Sequence, residues 1–573
     1  MMNASLQERL YRRLDEAPES KAIAYYDPKD TLSWISYEQF YTQSLEIAAQ
    51  LSKKGLQPGD VCAIVLPSGH LAARSIMAVL QLGGNPLLVA PPAVQGSLLD
   101  LPKILKHTVR KSGAKIVLCA DTMKDLQEDL SQDLEGVELL FGEDEIVLPG
   151  EGADIERFYP SSDAIGAMQL TSGTTGFPRV CVWSQEGILA ALDGMEAACG
   201  ITTEDICFNW TPLYHDMGLI NNFMLCMTAG IPLILFSPHE FVKRPYLWLK
   251  AMQDTGSTFT WSPNFGYAIT AQRTRDRQIE GLDLSHVKAF WNAAERIHYD
   301  TVVAFYERFK DYGLQESALK MNFGCAENVG GATFTAMDEP YQKEHLDASR
   351  LYGDWIADEV PEGQEGAVTI VSCGQPHPTL GIEILSDDNE RLPEGHVGRV
   401  ALRTPSRLLY FKEDQESTDA AHFEDLLLTG DIGYKRNNNL YWVGREKERI
   451  VLRGKKYDPS DFEPILFDVE GLRTGSFVVF GVDEGAHGTQ RVVIVTEVRE
   501  PLEKSLEDIS ADISKQVFLR LGVTVSDIEL VKAGTLAKTS SGKRRHRHFG
   551  QMYKDGKLKQ YRVDESSIEA DVS

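Results

Sequence analysis

The sequence predicts an α/β fold, with a large N-terminal domain of doubly wound, mostly parallel sheets and a small α+β C-terminal domain. Short apolar runs alternate with helical stretches along the first three-quarters of the chain, which favours parallel sheets covered by helices. Near the C-terminus this alternation gives way to two strands and one helix. The chain has 573 residues, too many for one ordinary core, so we expect two domains, 1–447 and 448–573.

The N-terminal strands and helices follow from the spacing of apolar residues. Pro58 and Gly59 favour a turn, and the compact apolar run at 61–66 behind them predicts a strand. Apolar residues at helical spacing predict a helix over 71–82. Further buried strands are expected at 86–89, 114–119 and 231–236.

The C-terminal part has the elements of a small domain of its own. Strands are predicted at 476–482 and 491–498, and a helix at about 502–521. One stripe of that helix is apolar and consists of Leu502, Leu506, Ile509, Ile513, Val517 and Leu521. The charged stretch 444–449 lies where we expect the two domains to join.

Charge and composition argue against several classes of function. Lys and Arg number 58 against 84 Asp and Glu, and this net charge of −26 argues against nucleic acid or an anionic membrane as partner. The eight cysteines are scattered without a Cys-x-x-Cys pair, so they predict neither a zinc site nor a disulfide framework. No apolar run approaches the ~20 residues that span a bilayer, and the N-terminal residues lack a signal peptide's apolar core. We expect a cytoplasmic protein without a transmembrane segment.

The strongest local feature is the loop 170–179, with the sequence LTSGTTGFPR. Two glycines allow a tight turn whose N–H groups can point at an anion, and hydroxyls and a cation add to them. These groups are Gly173 and Gly176, the hydroxyls of Thr171, Ser172, Thr174 and Thr175, and Arg179. The loop therefore suits a polyphosphate, although a Ser/Thr/Gly cluster can also be an ordinary surface loop. It lacks the spacing of a Walker P-loop, and no Gly-x-Ser-x-Gly elbow supports a serine hydrolase.

Further motifs follow this loop in a fixed order. They are PLYHDMGL at 212–219, WNAAE at 291–295, FGCAE at 323–327, LTGDIG at 428–433, GR at 444–445, RG at 453–454 and KTSSGK at 538–543. Loop and motifs together resemble the acyl- and aminoacyl-adenylating superfamily over nearly the whole chain. That resemblance implies an enzyme that uses ATP and Mg²⁺ to convert a carboxylic acid into an acyl-AMP and pyrophosphate.

The resemblance implies roles for the phosphate-binding residues. The loop residues Thr171, Ser172, Gly173, Thr174, Thr175 and Gly176, together with Arg179, would bind the β- and γ-phosphates of ATP. Glu327, with Thr171, would hold Mg²⁺, a hard cation that prefers oxygen ligands and phosphates. Outside its motif, Glu327 would more often be a solvated surface charge.

The nucleoside would be bound by residues of four other motifs. Phe323, where the family usually has a tyrosine, would stack on adenine, because stacking needs only the ring. The rest of the adenine wall would come from Ala293, Glu295, Asn322 and Gly324. Asp431 would accept hydrogen bonds from the ribose hydroxyls, and Arg445 would act on the ribose or the α-phosphate.

Two residues are expected to act on the reacting groups. Lys543 would bridge the carboxylate and the α-phosphate during in-line attack, which requires positioning and charge neutralisation but no protein nucleophile. His215 would lie beside the acyl and phosphate groups. The alternatives are a solvated charge run for Lys543-Arg544-Arg545 and a structural role for a lone histidine.

Within the superfamily, the sequence most resembles the fatty acyl-AMP ligases that load acyl carrier proteins. The similar segments are 212–219, 261–267, 371–374 and 457–463. The long polar stretch 330–370 lies where this branch has an insertion associated with poor use of CoA, although it could be an ordinary surface loop. The sequence departs from the family pattern at Arg179, Cys325, Asn328 and Glu448.

Two alternatives remain open from the sequence. One is an acyl-CoA or aryl-CoA ligase, which shares the first step and uses CoA as acceptor. The other is a non-catalytic adenylate-binding protein, against which the presence of Lys543, Glu327 and Asp431 argues. The resemblance implies a fatty acid substrate and an acyl carrier protein as partner, since an acyl pocket cannot be identified from spacing.

Overall fold

The structure is a computed structural model. It describes residues 5–29, 32–91, 101–171, 178–452, 455–483, 490–499, 501–502, 504–539 and 543–563.

The strands of the described residues number 28, in six sheets. In chain order they are β1 Lys21–Tyr25, β2 Trp34–Ser36, β3 Val61–Val65, β4 Asn85–Leu88, β5 Ala114–Cys119, β6 Glu138–Phe141, β7 Ile165–Leu170, β8 Val180–Ser184, β9 Cys207–Asn209, β10 Leu233–Leu235, β11 Phe259–Pro263, β12 Ala289–Ala293, β13 Leu319–Cys325, β14 Gly330–Phe334, β15 Lys343–Asp347, β16 Ala367–Val371, β17 Gln375–Pro376, β18 Gly381–Leu385, β19 Gly398–Arg403, β20 Tyr410–Phe411, β21 His422–Phe423, β22 Leu426–Arg436, β23 Asn439–Arg445, β24 Ile450–Leu452, β25 Lys455–Tyr457, β26 Leu472–Asp483, β27 Gln490–Val498 and β28 Val525–Val531.

The helices lie mainly between these strands. In chain order they are α1 Leu6–Glu16, α2 Tyr37–Lys53, α3 His70–Gln81, α4 Leu101–Ser112, α5 Gln127–Asp133, α6 Gly142–Ile146, α7 Gln185–Cys199, α8 Leu225–Ala229, α9 Pro238–Lys243, α10 Tyr246–Thr255, α11 Asn264–Arg273, α12 Tyr299–Phe309, α13 Ala348–Gly353, α14 Gln415–Ala420, α15 Glu463–Phe467, α16 Leu506–Leu521 and α17 His546–Lys554. A buried π-helix, Met217–Met224, directly precedes α8. No described helix has both the length and the apolar character that crossing a membrane requires.

Two large sheets form the framework. The first has the order β2-β1-β10-β9-β11-β12-β13-β14-β17, and its six strands from β1 to β13 are parallel. The second has the order β6-β5-β3-β4-β7-β8-β20, and its strands from β6 to β7 are parallel. Antiparallel strands occur only at the edges of these two sheets, so the predicted α/β class with mostly parallel sheets is confirmed.

A third sheet was not predicted. Strands β18, β19, β22 and β21 pair antiparallel in that order, and β23 pairs with β22. These strands mix polar and apolar residues, as in Gly398–Arg403 with the sequence GRVALR, so the sequence shows no compact apolar run there. This sheet carries two of the predicted site residues, Asp431 and Arg445.

The C-terminal elements follow the predicted pattern. Strands β26, β27 and β28 form a three-stranded sheet, against which α16 packs with Ile509, Ile513 and Val517 fully buried. The helix begins at Leu506 rather than near 502, because the Ser505 hydroxyl accepts a hydrogen bond from the Asp508 N–H at 3.1 Å and caps it.

The stretch 330–370 contains ordered elements rather than one long loop. β14 belongs to the first large sheet, β15 and β16 pair antiparallel, and α13 lies between β15 and β16. Leu346, Leu351 and Tyr352 from this stretch share a buried apolar cluster with residues beyond 450, such as Tyr457 and Phe462. This stretch therefore packs directly on the C-terminal part of the chain.

Candidate functional site

The described ends of the predicted phosphate-binding loop lie side by side. β7 ends at Leu170 and β8 begins at Val180, and the Thr171 N–H donates a 2.9 Å hydrogen bond to the Arg179 carbonyl. The buried Thr171 hydroxyl has no hydrogen-bond partner among the described residues. A buried hydroxyl without a hydrogen-bond partner in the protein is typical of a group that binds a ligand. The predictions for Ser172, Gly173, Thr174, Thr175 and Gly176 lie outside the described residues.

Glu327 and Arg179 are in contact and border the same cavity, whose volume is about 640 Å³. Arg179 Nη2 is 3.5 Å from Glu327 Oε1, and its guanidinium lies 4.1 Å from the centre of the Phe411 ring. Burial raises the pKa of Glu327, and the nearby Arg179 only partly offsets this rise. Burial thus disfavours the charged form of Glu327 despite two nearby cations, Arg179 and Arg445.

The residues predicted to form the adenine wall lie at the carboxyl ends of parallel strands, where open α/β sheets bind ligands. β12 ends at Ala293, and the next residue, Ala294, has a φ of +71°, which is uncommon for a residue with a side chain. The turn places Glu295 so that its carboxylate accepts a hydrogen bond from the Phe265 N–H at 2.5 Å. Burial, followed by the charge of Glu463, raises the pKa of Glu295.

The neighbouring strand β13 supplies the other three wall residues. The Asn322 side chain is engaged inside the protein, because Nδ2 donates to the Thr333 carbonyl at 2.6 Å. Phe323 is buried except for the face that borders a second cavity. Gly324 is required by packing, since a Cβ there would lie 2.3 Å from the carbonyl oxygen of Gly330.

Asp431 and Arg445 are brought together by the third sheet, in which they are cross-strand neighbours on β22 and β23. Asp431 is fully buried, and its Oδ1 accepts from Trp442 Nε1 at 2.9 Å and pairs with Arg445 Nε at 3.0 Å. Asp431 Oδ2 has no partner among the described residues. A buried, unpaired carboxylate oxygen at a cavity wall matches the predicted acceptor for ribose hydroxyls.

His215 lies at the start of the π-helix and borders the first cavity. Its Nδ1 is 2.6 Å from Asp216 Oδ1. Burial alone would raise the pKa of Asp216, but His215 and then Lys543 lower it to about 2. Asp216 is therefore ionised and contributes a negative charge that acts on the predicted catalytic lysine. We did not predict this charge, although Asp216 belongs to the motif 212–219.

Lys543 reaches both cavities from the C-terminal part of the chain. Its N–H donates to Thr539 Oγ1 at 2.9 Å, and its carbonyl accepts from the Thr539 N–H at 2.8 Å. No carboxylate of the described residues lies within ion-pair distance of its amine. Burial, followed by the charge of Arg445, lowers the pKa of Lys543, whereas Asp216 and Asp431 oppose this shift.

The two cavities adjoin, and the second has a volume of about 710 Å³. They share the wall residues Ala294, Asn322, Gly324, Arg445, Glu448, Lys538 and Lys543. Every predicted site residue that the structure describes borders one cavity or both. The structure thus brings the described residues together, while the role of each stays a prediction.

The described residues could hold Mg²⁺ only together with the phosphate oxygens of a bound nucleotide. No group of three or more His, Cys, Asp or Glu side chains among the described residues could enclose a metal ion. Glu327 and the orphaned Thr171 hydroxyl offer two oxygen ligands on one cavity wall. Mg²⁺ commonly takes one or two protein ligands and completes its octahedron with phosphate oxygens and water, so this donor set is suitable.

Two further wall residues were missed by the sequence reasoning. Trp442 donates to Asp431, and no motif contains it. Lys538 borders both cavities and stands at the start of a recognised motif, but its position there indicated no role.

Comparisons with known proteins agree on one family. A family model described as "AMP-binding enzyme" matches residues 10–409. A putative acyl-CoA synthetase of Caulobacter vibrioides is 27% identical, over 89% of this chain and 88% of its own. The long-chain-fatty-acid–AMP ligase FadD26 of Mycobacterium tuberculosis is 26% identical, over 98% of this chain and 99% of its own. The medium-chain-fatty-acid–[acyl-carrier-protein] ligase JamA of Moorena producens is 25% identical, over 92% of this chain and 91% of its own.

A solved structure has the same fold. It comes from a study of fatty acyl-adenylate ligases from E. coli and L. pneumophila and superposes with a TM-score of 0.89. The superposition covers 97% of this chain and 98% of the other, at 23% sequence identity. The agreement extends over both the large sheets and the C-terminal elements.

Proposed function

The chain belongs to the AMP-binding enzyme family as an adenylate-forming ligase, and from this premise we propose that it activates a medium- or long-chain fatty acid. The products of the first step would be acyl-AMP and pyrophosphate, with ATP as co-substrate and Mg²⁺ as the metal ion. The acyl group would then pass to the phosphopantetheine thiol of an acyl carrier protein. We expect the enzyme to act in the cytoplasm, where ATP is available.

One observation carries the proposal of adenylation. Residues from seven separated motifs, including Thr171, Glu327, Asp431 and Lys543, border two adjoining cavities. Two of their buried oxygen atoms, Thr171 Oγ1 and Asp431 Oδ2, have no partner among the described residues. Phosphates and ribose hydroxyls are the groups that would satisfy them, as the family motifs imply.

The proposed reaction needs positioning and charge neutralisation rather than a protein nucleophile. A carboxylate oxygen of the acid attacks the α-phosphorus of ATP, a new P–O bond forms, and pyrophosphate leaves with the electron pair of the broken bond. Lys543, which has no carboxylate partner among the described residues, is available to hold the attacking carboxylate and the α-phosphate. Arg445, which borders the same cavity, would contribute further positive charge.

The bound metal ion would neutralise negative charge on the triphosphate and on the departing pyrophosphate. Glu327 and Thr171 would hold it, and Glu327 is suited to that role because burial already disfavours its isolated charge. Arg179 Nη2 contacts Glu327 Oε1 at 3.5 Å, a long ion pair that a bound metal ion would share or replace.

The proposal of a fatty acid is supported by an apolar portion of the second cavity. Its apolar lining includes Val242, Phe265, Ala268, Ile269, Ala304 and Phe467. An alkyl chain would remove this surface from water, with a gain of about 0.8 kcal/mol per buried methylene. Two of the compared relatives, FadD26 and JamA, are named for fatty acids.

The proposal of a carrier protein as acceptor is supported by the packing of the stretch 330–370. The rings of Tyr352 and Tyr457 stack with their centres 4.9 Å apart. Trp355 lies beneath two cations of the C-terminal part, Arg449 at 4.8 Å and Lys456 at 4.1 Å. These contacts would oppose a reorientation of residues 448–573, for which the turn Glu446–Glu448 is the proposed hinge.

The main alternative is an acyl-CoA ligase. The name of the Caulobacter relative favours it, and both functions share the adenylation step. A non-catalytic adenylate-binding protein is a weaker alternative, because Lys543, Glu327 and Asp431 are all present at the cavities.

Mass spectrometry of the products would test the proposal. The protein would be incubated with ATP, Mg²⁺ and dodecanoate, together with excess CoA and a phosphopantetheinylated acyl carrier protein. We expect acyl-AMP and acylated carrier without acyl-CoA. Abundant acyl-CoA would favour the alternative acceptor, and no product from a panel of carboxylic acids would contradict adenylation itself.

A further inference from the structure

A buried ion pair joins the adenine wall to the C-terminal part of the chain. Arg296 follows the wall residue Glu295, and its Nη1 pairs with Asp461 Oδ1 and donates to Ser460 Oγ at 3.1 Å. The side chains are only 9% exposed for Arg296 and 1% for Asp461. This pair lies next to the second cavity, and neither Arg296 nor Asp461 is among the predicted site residues.

Asp461 is held from two other directions. The Tyr352 hydroxyl of α13 donates to Asp461 Oδ1 at 2.8 Å, and the Asp458 N–H donates to Asp461 Oδ2 at 2.8 Å. Asp458 in turn accepts from the Arg445 N–H at 2.8 Å through Oδ2. A continuous set of hydrogen bonds therefore runs from Arg296 to Arg445, and both residues border the second cavity.

The burial of this pair makes it sensitive to the loss of either partner. Removing one member of a buried ion pair leaves the other charge unpaired, whereas replacing both with apolar residues can leave stability unchanged. An exposed pair such as Arg157 with Asp15, 2.7 Å apart, contributes far less. Loss of Arg296 alone is therefore expected to disturb the position of Asp461.

We propose that Arg296 is a positioning residue for adenylate formation. Through Asp461 and Asp458 it fixes the segment 458–461 and Arg445 relative to the adenine wall, and so keeps Lys543 in the cavity. Arg296 acts through these residues and does not act on the reacting atoms. The inference rests on the proposed adenylation activity.

Kinetics of acyl-AMP formation with ATP, Mg²⁺ and dodecanoate would test this role. Arg296→Gln is expected to lower kcat by about 10²-fold, because a misplacement of about 1 Å far from the reacting atoms can have that effect. The KM for dodecanoate should change little, since the variant removes none of the apolar lining. The matched control Arg157→Gln breaks an exposed pair and should leave both constants near wild type.

A double variant keeps the test valid if the single variant does not fold. Arg296→Met combined with Asp461→Leu removes both charges and leaves neither unpaired. It should retain the folded circular dichroism spectrum and still show the low kcat, because the hydrogen bond from the Asp458 N–H to Asp461 Oδ2 is lost. A folded double variant with wild-type kcat would overturn the proposal.

A distance measurement gives a readout that loss of stability alone would not change. The eight native cysteines are buried, so Glu280→Cys and Lys515→Cys at exposed positions would accept spin labels selectively. We expect the distance distribution between the labels to broaden in the Arg296 variants, and an unchanged distribution would overturn the proposal. Failure of the wild-type protein to form acyl-AMP would instead contradict the proposed function.

Discussion

Arg445 and Asp431 face each other on adjacent antiparallel strands, with Arg445 Nε 3.0 Å from Asp431 Oδ1. The ion pair fixes one carboxylate oxygen, and Trp442 donates to the same oxygen at 2.9 Å. The other oxygen has no partner among the described residues. The arrangement fixes Oδ1 of Asp431 by two contacts and leaves Oδ2 for a ligand.

Replacing Asp431 with asparagine should weaken the binding of ATP. Hydrogen bonds to a charged group are each worth about 1.5–3 kcal/mol, so we expect the KM for ATP to rise about 10- to 100-fold. Steady-state measurement of pyrophosphate release against ATP concentration would show this. Trp442→Phe is the control, because it removes a donor to Oδ1 and leaves Oδ2 in place. Equal effects of the two variants would contradict a special role for Oδ2.

Replacing Lys543 with alanine should abolish acyl-AMP formation and leave the fold intact. A preorganised charge that acts on the transition state is typically worth ~10²–10³ in rate. Pyrophosphate release would measure the activity, and circular dichroism would check the fold. The exposed Lys532, replaced with alanine, is a control for the loss of one positive charge. Near-normal adenylate formation by Lys543→Ala would refute the role.

Replacing Glu327 with glutamine should raise the Mg²⁺ concentration needed for half-maximal activity. We expect a change of about 10- to 100-fold, the range found even for residues that only orient a metal ligand. Pyrophosphate release at fixed ATP and varied Mg²⁺ would measure it. An unchanged Mg²⁺ requirement would mean that Glu327 holds no metal ion.

The same variant should have a pH-dependent effect on stability without nucleotide. The pKa of Glu327 in the folded protein is raised above the ordinary value of 4.5 by burial. As pH rises, the unfolded chain releases this proton near pH 4.5, whereas the folded protein holds it until the higher, raised pKa. The free energy of unfolding of the wild type therefore falls as pH rises from about 4.5 through the raised pKa. Glutamine carries no such charge. The Tm of Glu327→Gln should therefore exceed that of the wild type at pH 8, with a smaller difference at pH 5.

The parts that could be predicted from sequence are those with local patterns. β5 was predicted at its observed bounds, Ala114–Cys119, because a compact apolar run between parallel neighbours has few alternatives. The third sheet was missed because its strands show no compact apolar run of their own. Its pairing depends on tertiary contacts, which override weak local preference.

The candidate site shows the same limit. Lys543 and Glu327 could be placed in it because each belongs to a motif of several residues. The pair of Arg296 and Asp461 could not be predicted, since its members are 165 positions apart and neither sequence context indicates the other. The orphaned oxygen of Asp431 likewise depends on Trp442, whose position follows from the register between β22 and β23.

Replacing Tyr352 with alanine should increase the use of CoA as acceptor. The stacked rings of Tyr352 and Tyr457 hold α13 against the C-terminal part, and such aromatic pairs are worth about 0.5–1.5 kcal/mol beyond the area they bury. If this contact restricts reorientation after adenylation, the ratio of acyl-CoA to acyl-AMP should rise about two- to tenfold. Mass spectrometry with saturating CoA would measure the ratio.

Tyr352→Phe separates the ring from the hydroxyl group. It retains the stacking on Tyr457 and removes only the 2.8 Å hydrogen bond to Asp461, so its ratio should rise less than that of Tyr352→Ala. If Tyr352→Ala lowers the Tm but leaves the ratio at the wild-type value, the contact stabilises the fold without restricting the acceptor. In that case the stretch 330–370 would not explain a preference for carrier proteins, because loosening its contact with the C-terminal part would not admit CoA.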